Sequence, residues 1–322
     1  MNQKHFNKLK SAVKFAHALI EYDPILPLIE KKILLKRKSD LSRMQPIFIV
    51  GAPRTGSTLL FELLISTYRT SYITNLSALL YKSPVHATKL IKSLGLVHTF
   101  SGTSKYGYIQ GLSAPSEAGV LFNHWFGNDE SVKQDKHNLL PAHVVRMTVD
   151  SMCCLMKGPF IVKNLNNSMR LERINQIFPN AIYIYIKRDV IYTAQSIILA
   201  RRKLFRNDEG WFSVKPQNYE TLLELDPFEQ VIYQIMSIEN YIKQVLDEQQ
   251  IKNVIEIWYE DMCLDWCGAL NKIADLCDKY GISLQENQPA PDISLGPSEE
   301  QILDDLEWGK LCRLVNLIYN QS

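Results

Sequence analysis

An eleven-residue stretch, VGAPRTGSTLL at residues 50–60, has the glycine spacing of a loop that binds phosphate. Such a loop reads G-x-x-x-x-G-K-[ST]; its backbone N–H groups surround phosphate oxygens, and its lysine reaches the outermost phosphates. Gly51 and Gly56 keep this spacing, but Ser57 stands where the lysine is expected and Thr58 follows it. The pattern therefore predicts an anion site that keeps the backbone ring of donors and lacks the lysine.

The loop carries a cation at another place, because Arg54 lies between the two glycines. A guanidinium has five N–H donors and can hold an anionic group that is leaving or being transferred. The N–H groups of the first helical turn and the helix dipole favour a terminal phosphate beside it. The anion-binding residues predicted here are Arg54, Thr55, Gly56, Ser57 and Thr58.

A second anion site is predicted in the segment IYIKRDVIYTAQSIILARR. Arg188 closes a strongly apolar run, so it is expected at the carboxyl end of a strand, where open α/β sheets bind their ligands. Ser196 follows eight residues later, two turns into the next helix. One guanidinium and one hydroxyl at this separation can share a second phosphate, remote from the first.

Short apolar runs predict the strands that must position these residues. Four runs, PIFIV, GPFIVKN, NAIYIYIKRD and NVIEIWYEDM, alternate with stretches of helical periodicity. Apolar strands that alternate with helices indicate a parallel sheet with right-handed crossovers. The predicted fold class is therefore α/β, a P-loop NTPase-like three-layer fold with a central parallel sheet flanked by helices.

The chain divides into three parts. Residues 1–45 predict an N-terminal helical extension, broken at Pro24 and Pro27, and residues 46–285 predict the α/β domain. Residues 286–322 predict a proline-rich connector and a helix packed on the same domain. Within the domain, residues 70–158 show little regular pattern and are rich in small polar and aromatic residues, which is typical of segments that line substrate clefts.

The composition excludes some classes of protein. The 322 residues are 46% hydrophobic and 22% charged, and the net charge of +2 gives no global field for nucleic acid or an anionic membrane. No run approaches the roughly 18 apolar residues of a membrane span, and none resembles a signal-peptide core. The six cysteines lack CxxC pairs and a nearby histidine, so we expect a cytoplasmic protein without a metal centre.

The two predicted anion sites together resemble those of sulfotransferases that use 3′-phosphoadenosine 5′-phosphosulfate (PAPS). PIFIVGAPRTGSTLL resembles the 5′-phosphosulfate loop of that family, and RDVIYTAQS resembles its 3′-phosphate motif. The late segment IWYEDM is also similar to the family, and the resemblance spans about residues 46–285. An arginine in the loop is closer to the carbohydrate, tyrosylprotein and bacterial members than to the cytosolic phenol type.

The resemblance implies PAPS as the donor, with no metal required. It implies that Arg54 and the loop N–H groups hold the phosphosulfate and that Arg54 stabilises charge as the sulfuryl group departs. Arg188 and Ser196 would hold the 3′ phosphate. Lys163, at the end of the second strand, and Tyr259, on the fourth, are further candidates for the cavity.

The residue that takes the acceptor's proton is less clearly marked. Families of this fold use a glutamate or a histidine as the general base, and some place the glutamate just after the P-loop helix. Asn75 occupies that region here, so the candidates become Glu117 and His124, with Glu62 third. Ser113 is predicted to cap a helix that carries both Glu117 and His124.

Two other functions remain open on the residues alone. A P-loop kinase or NTPase would need metal-binding acids, for which Asp189 and Asp261 are available, and an inactive nucleotide-binding module is compatible with the unusual Asn75. For a sulfotransferase, we expect a hydroxyl acceptor, a carbohydrate or glycolipid, and no nucleic acid. The proposed sugar platform is Tyr106, Tyr108, Phe122, Trp125, Trp211 and Phe212, and the proposed basic patch is Arg201, Arg202, Lys203, Arg206 and Lys215.

Overall fold

The protein is built on a four-stranded parallel sheet. In a computed structural model, which describes residues 3–37, 44–96, 98, 109–127, 139–287, 291 and 293–319, the strand order is β2-β1-β3-β4. The strands are β1 (Ile47–Val50), β2 (Ile161–Lys163), β3 (Ile182–Lys187) and β4 (Val254–Trp258). Each coincides with one of the four apolar runs, so the predicted α/β fold class is confirmed.

The strands β1 and β3 are buried on both faces, which explains their uninterrupted apolar sequences. Side chains alternate between two clusters. Phe48 and Tyr183 contribute to one face, where their rings stack at 6.0 Å between centroids, and Ile49 and Ile184 contribute to the other. Helices cover both faces, and together they form the three layers.

The helices follow the strands as the sequence predicts. The helix α3 (Ser57–Thr67) begins directly after the loop that follows β1, and α9 (Val190–Phe205) follows β3 in the same way. Asp189 caps α9 by accepting hydrogen bonds from Ile191 N and Tyr192 N. The remaining helices of the domain are α4 (Asn75–Leu79), α5 (Pro84–Ser93), α6 (Gly119–Phe126), α7 (Ala142–Met156), a 3₁₀ helix (Leu165–Met169), α8 (Leu171–Ile177), α10 (Tyr219–Leu222), α11 (Pro227–Glu248), α12 (Tyr259–Leu264) and α13 (Trp266–Lys279).

The N-terminal extension consists of α1 (Gln3–Glu21) and α2 (Ile25–Arg37). Pro24 separates them, whereas Pro27 lies in the first turn of α2, so the prediction of a second break was wrong. Proline is tolerated in a first turn because its missing N–H has no intrahelical partner there. Ile20 and Leu34 are buried in the core cluster of the domain and anchor both helices to it.

A buried carboxylate also holds the extension. Glu30 accepts hydrogen bonds from the backbone N–H groups of Val85 and His86, at 2.9 and 3.1 Å, and from the Ser83 hydroxyl. It therefore caps α5 from another part of the chain. Burial, the largest effect, raises the pKa of Glu30 above its usual range.

The C-terminal part is an extended segment, 293–303, followed by α14 (Asp305–Tyr319). Leu311 and Val315 of α14 pack with Ile197 and Ile232 in a third buried cluster. Among the helices that the structure describes, none combines the length and the apolar composition that a membrane crossing requires. The division of the chain at residues 45 and 285 stays a prediction.

Candidate functional site

A cavity of about 510 Å³ opens at the carboxyl ends of the strands. The β1–α3 loop, the start of α9 and the 3₁₀ helix after β2 form its walls. The charged side chains of its described lining are three cations and one carboxylate, so the cavity is positive. Its lining includes nine of the residues predicted from the sequence: Arg54, Gly56, Ser57, Thr58, Glu117, Lys163, Arg188, Ser196 and Tyr259.

The β1–α3 loop is shaped by close backbone contacts. Gly56 has φ +81°, and a Cβ atom there would lie 2.3 Å from the Tyr259 ring, so only glycine fits. A Cβ at Gly51 would lie 2.4 Å from the backbone oxygen of Ile186. The Ser168 hydroxyl accepts from Gly51 N at 2.9 Å and donates to Gly51 O at 3.1 Å. The loop is therefore held in one conformation before any ligand binds.

Thr55 points away from the cavity. Its hydroxyl donates a 2.9 Å hydrogen bond to Ala52 O, and its side chain is buried. It closes the loop from within, so only its backbone N–H remains available for the predicted anion contact. Ser57 and Thr58 open α3 and line the cavity, as the loop pattern predicts.

The two predicted anion sites meet in one cavity. Arg54 Nε donates to Ser196 Oγ at 2.8 Å, and Arg188 Nη1 donates to Arg54 O at 3.1 Å. The sequence predicted that they would be remote from each other. They are adjacent because β1 and β3 are neighbours in the sheet, which places the β1 loop beside the start of α9. Arg188 therefore lies on the same side of the sheet edge as the loop.

Tyr259 supports Arg188. Its ring centroid lies 4.6 Å from the guanidinium carbon, a distance at which a cation and an aromatic face attract each other. From the sequence, Tyr259 was predicted to lie on the fourth strand. The strand ends at Trp258, and Tyr259 is the first residue of α12. The same ring contacts Gly56, so it packs between the phosphate loop and the second arginine.

Glu117 and Lys163 form an ion pair on the opposite wall. Lys163 ends β2 and is almost fully buried, whereas the Glu117 side chain is 43% exposed. Asn164 Nδ2 donates to the Glu117 backbone oxygen at 2.6 Å and holds this part of the chain in place. The arrangement keeps a half-exposed carboxylate at the cavity, where an acceptor group can reach it.

The segment around Glu117 is not the helix that the sequence predicted. The helix α6 begins at Gly119, after Ala118 with φ +48°, and Ser113 lies outside it. Glu117 therefore precedes the helix on which His124 lies, and the prediction that one helix carries both residues was wrong. Asn75, at the place where some families have the base, donates through Nδ2 to Ile109 O and Gly111 O, both at 2.8 Å.

The other two candidate bases lie outside the described cavity lining. The His124 ring packs edge-on against the Tyr81 ring at 5.7 Å, and burial, followed by the charge of Lys82, lowers the pKa of His124. Glu62 is buried within α3, and its carboxylate lies 3.8 Å from Nε2 of His98. Glu117 is thus the one of the three that the structure brings to the cavity.

The predicted sugar platform and the predicted basic patch are each available only in part. Phe122 and Trp125 are buried in the core, so they cannot bind a sugar, and Trp211 packs against Arg201. Phe212 does line the cavity, while Tyr106 and Tyr108 lie outside the described residues. Aromatic residues were assigned to a platform although they more often belong to the core.

Two of the five residues of the basic patch, Arg201 and Arg202, are already used within the protein. Arg201 is fully buried, and burial lowers its pKa to about 10. Arg202 forms ion pairs with Asp208 and Glu307, both at 2.6 Å. The charge of Arg201 is removed from solvent and that of Arg202 is compensated. The patch is therefore reduced to its three other members, which are at least partly exposed: Lys203, Arg206 and Lys215.

Sequence reasoning missed the residues that close the cavity from the C-terminal side. Gln195 accepts from Ile302 N at 2.7 Å and from Leu303 N at 3.1 Å, and it donates to Glu300 O at 2.8 Å. Ser298 N donates to the Tyr259 hydroxyl at 3.3 Å, and Arg188 donates to Ser298 O. Apart from the Ser298–Tyr259 contact, these hydrogen bonds join residues more than a hundred positions apart, for which a single sequence carries no signal.

Comparison with known proteins identifies the family of the chain. The profile of the Sulfotransferase family matches residues 46–282, which is more than half of the chain. The chain therefore belongs to the Sulfotransferase family, as the resemblance predicted. A search of curated proteins found no significant match.

Several solved structures are distantly similar. Sulfotransferase STF9 from Mycobacterium avium has 16% identity and a TM-score of 0.48, with 82% of this chain and 68% of that chain covered. Sulfotransferase STF1 from Mycobacterium tuberculosis H37Rv has 16% identity and a TM-score of 0.49, with 80% and 73% covered. The sulfotransferase domain from the curacin biosynthetic pathway has 17% identity and a TM-score of 0.44, with 76% of each chain covered. No role of any residue is taken from this likeness.

Proposed function

We propose that the protein transfers a sulfuryl group from PAPS to a hydroxyl acceptor, a carbohydrate or glycolipid. One observation carries the proposal: a phosphate-type loop that has Arg54 between its glycines and no lysine lines a single positive cavity together with Arg188 and Ser196. A doubly phosphorylated nucleotide needs two anion sites that one molecule can span, and it needs no lysine for a third phosphate.

The residues present fit such a donor. Arg188 Nε is buried without a hydrogen-bond partner among the described residues, so it can donate to an anion. The first turn of α3 offers backbone N–H groups at Ser57 and Thr58, where a helix N-terminus favours negative charge. Thr55 would contribute its backbone N–H alone. We assign the 5′ end of the donor to Arg54 and this loop, and its 3′ phosphate to Arg188 and Ser196.

The chain's own residues provide the remaining steps. When bound, PAPS supplies the sulfuryl group and a phosphate leaving group. Arg54 lies in the loop, where its guanidinium stabilises negative charge that develops at the departing phosphate. The Glu117 carboxylate accepts the proton of the acceptor hydroxyl, and the Lys163 ammonium orients that carboxylate. No residue in this scheme requires a metal ion.

The remaining lining of the cavity supports the proposed class of acceptor. Asn166 and Ser213 add polar groups and Phe212 adds an aromatic ring to the cavity, a combination suited to a polyhydroxylated molecule. The six cysteines are all free, which fits the reducing conditions of the cytoplasm, where we place the reaction. No nucleic-acid partner is proposed.

Calorimetry and a transfer assay test the proposal together. We expect 3′-phosphoadenosine 5′-phosphate to bind without magnesium and more tightly than ATP with magnesium. We also expect sulfate from radiolabelled PAPS to appear on at least one member of a panel of glycans, glycolipids and small alcohols. Magnesium-dependent binding of ATP alone would identify a P-loop kinase or NTPase. Tight nucleotide binding without transfer to any acceptor would identify an inactive module.

A further inference from the structure

The small net charge of the chain conceals two unlike parts. Residues 1–43 contain ten lysines and arginines and four acidic residues, a formal charge of +6. Because the whole chain carries +2, the other residues together carry −4. The absence of a global field, inferred from the total, therefore does not hold for the N-terminal helices. This part of the molecule has its own positive field.

The outer face of α2 combines this charge with exposed apolar side chains. Ile25, Leu28 and Leu35 are each at least 60% exposed, and they recur at helical spacing on the face opposite buried Leu34. Lys32 lies between the two leucines on the same face, since positions 28, 32 and 35 are four and three residues apart. The exposed residues of α2 that share this character are Ile25, Leu28, Lys31, Lys32, Leu35 and Lys36.

The helix α1 presents a second apolar stripe to solvent. Phe15, Leu19 and Tyr22 are 61–87% exposed and are spaced by four and three residues, while Ile20 faces the core. Ten large apolar side chains among the described residues are at least 60% exposed, and six of these belong to α1, α2 or the turn between them. Scattered exposed apolar residues are ordinary on a protein surface, but such a concentration marks an interaction site.

We propose that the outer faces of α1 and α2 dock on the surface of an anionic phospholipid bilayer. We call this the N-terminal basic–apolar surface; it comprises Phe15, Leu19, Tyr22, Ile25, Leu28, Lys31, Lys32, Leu35 and Lys36. Leucine and aromatic side chains enter the boundary between headgroups and acyl chains, and lysines beside them pair with anionic headgroups. The helices would lie on the membrane without crossing it.

A second copy of the chain fits this surface less well. Two such surfaces facing each other would bring three lysines of one copy against three of the other, and the core of a stable protein interface is depleted in lysine. The helices also need not detach from the domain in order to bind. Ile20, Leu34 and Glu30 hold the inner faces, so the outer faces are available in the folded protein.

Cosedimentation of the full chain with lipid vesicles tests the proposal. We expect binding to vesicles of phosphatidylcholine with about 30% phosphatidylserine, weak binding to pure phosphatidylcholine, and release at high salt. The triple variant Lys31→Gln, Lys32→Gln, Lys36→Gln should bind about a hundredfold more weakly, at roughly fivefold for each lysine. The variant Phe15→Ser, Leu19→Ser, Leu28→Ser should lose at least about tenfold in the same assay.

Matched controls use exposed residues elsewhere on the molecule. Lys243→Gln, Lys252→Gln, Lys272→Gln removes the same charge, and Leu264→Ser, Leu306→Ser removes exposed apolar groups. Both controls should bind phosphatidylserine vesicles like the parent, and all variants should keep the parent Tm. The proposal is overturned by equal binding to both kinds of vesicle, by no binding to either, or by equal losses in the controls. It is also overturned if light scattering shows a dimer that the Phe15, Leu19, Leu28 substitutions dissociate.

Discussion

The two walls of the cavity differ in how they are built. The nucleotide wall, formed by the β1–α3 loop and the start of α9, is fixed by two adjacent strands and by glycines that admit no side chain. The other wall, which carries Glu117, is a loop segment between α5 and α6, tied to β2 by the Lys163 ion pair and the Asn164 hydrogen bond. One wall follows from the geometry of the sheet, and the other depends on individual side-chain contacts.

This difference separates two kinds of function. Rigid backbone donors suit a group that every turnover brings in the same form, which in the proposed function is the donor nucleotide. A wall held by side chains can be altered by few substitutions without disturbing the sheet, which suits recognition of the acceptor. Substitutions on the nucleotide wall should therefore change nucleotide affinity, and those on the Glu117 wall should change turnover.

The largest effect is expected at Glu117. In Glu117→Gln the proposed base is lost, so turnover should fall by about 10²- to 10⁴-fold while the affinity for 3′-phosphoadenosine 5′-phosphate stays nearly unchanged. Transfer assays and calorimetry measure the two quantities. Glu117→Gln also leaves the buried Lys163 without its ionic partner. The double variant Lys163→Met, Glu117→Gln removes both charges and serves as the control for the stability of the folded protein. Near-normal turnover of Glu117→Gln would remove Glu117 from the mechanism.

Arg188 should show the opposite pattern. In Arg188→Met, the cation beside Tyr259 and its buried Nε donor are lost, so the affinity for the desulfated nucleotide should fall by about 10- to 100-fold. Turnover at saturating donor should change much less. The variant Arg188→Lys keeps the charge and should recover only part of the affinity, because one ammonium cannot replace a fork of donors. A large loss of turnover at saturation would contradict the division between the walls.

Gly56 tests how far the nucleotide wall depends on its backbone. Gly56→Ala combines a left-handed φ with a clash against Tyr259, so we expect a loss of stability of about 1–3 kcal/mol and weaker nucleotide binding. Adding Tyr259→Ala removes the clash but not the backbone strain, so it should restore part of the stability at most. Thermal unfolding of the single and double variants measures this. Full tolerance of alanine would show that the loop is not held as rigidly as described.

The smallest effect on turnover is expected at His124. Its pKa is lowered from the ordinary 6.5, so its contribution to stability is complete above that pH and is lost as the pH falls through the folded value. His124→Phe keeps a ring against Tyr81 and cannot be protonated. It should leave turnover within about threefold of the parent and make unfolding less sensitive to acid below about pH 6.5. A large loss of turnover would return His124 to the list of candidate bases.

The sequence was sufficient for the sheet and for the loop after β1. Continuous apolar runs identify strands buried on both faces, and the glycine spacing after β1 identifies the loop, because both patterns are local. The adjacency of Arg54 and Ser196 was not predicted, since it depends on the order of strands in the sheet. The position of Glu117 ahead of α6 was not predicted, because Ser113 is a typical helix-capping residue and Pro115 is typical of a first helical turn.

The errors at the surface have one physical cause. By residue type, arginine can bind anions and aromatic residues can bind sugars. Residue type does not show whether a side chain is already buried or paired within the protein, as Arg201, Arg202, Phe122 and Trp125 are. An ion pair with the neighbouring Asp208 and a long-range ion pair with Glu307 remove Arg202 from consideration, and core packing removes the two aromatic residues. Conversely, the net charge of the whole chain did not reveal the positive N-terminal part, because the remaining residues carry an opposite net charge.

The Ser168 hydroxyl, which binds both the N–H and the C=O of Gly51, has a consequence for the order of folding. These partners are 117 residues apart, so the phosphate loop cannot reach its final form until β2 and the 3₁₀ helix have been synthesised and have docked. A nascent chain that ends before residue 168 lacks both this hydroxyl and the neighbouring strand β3, so its phosphate loop should not yet be formed.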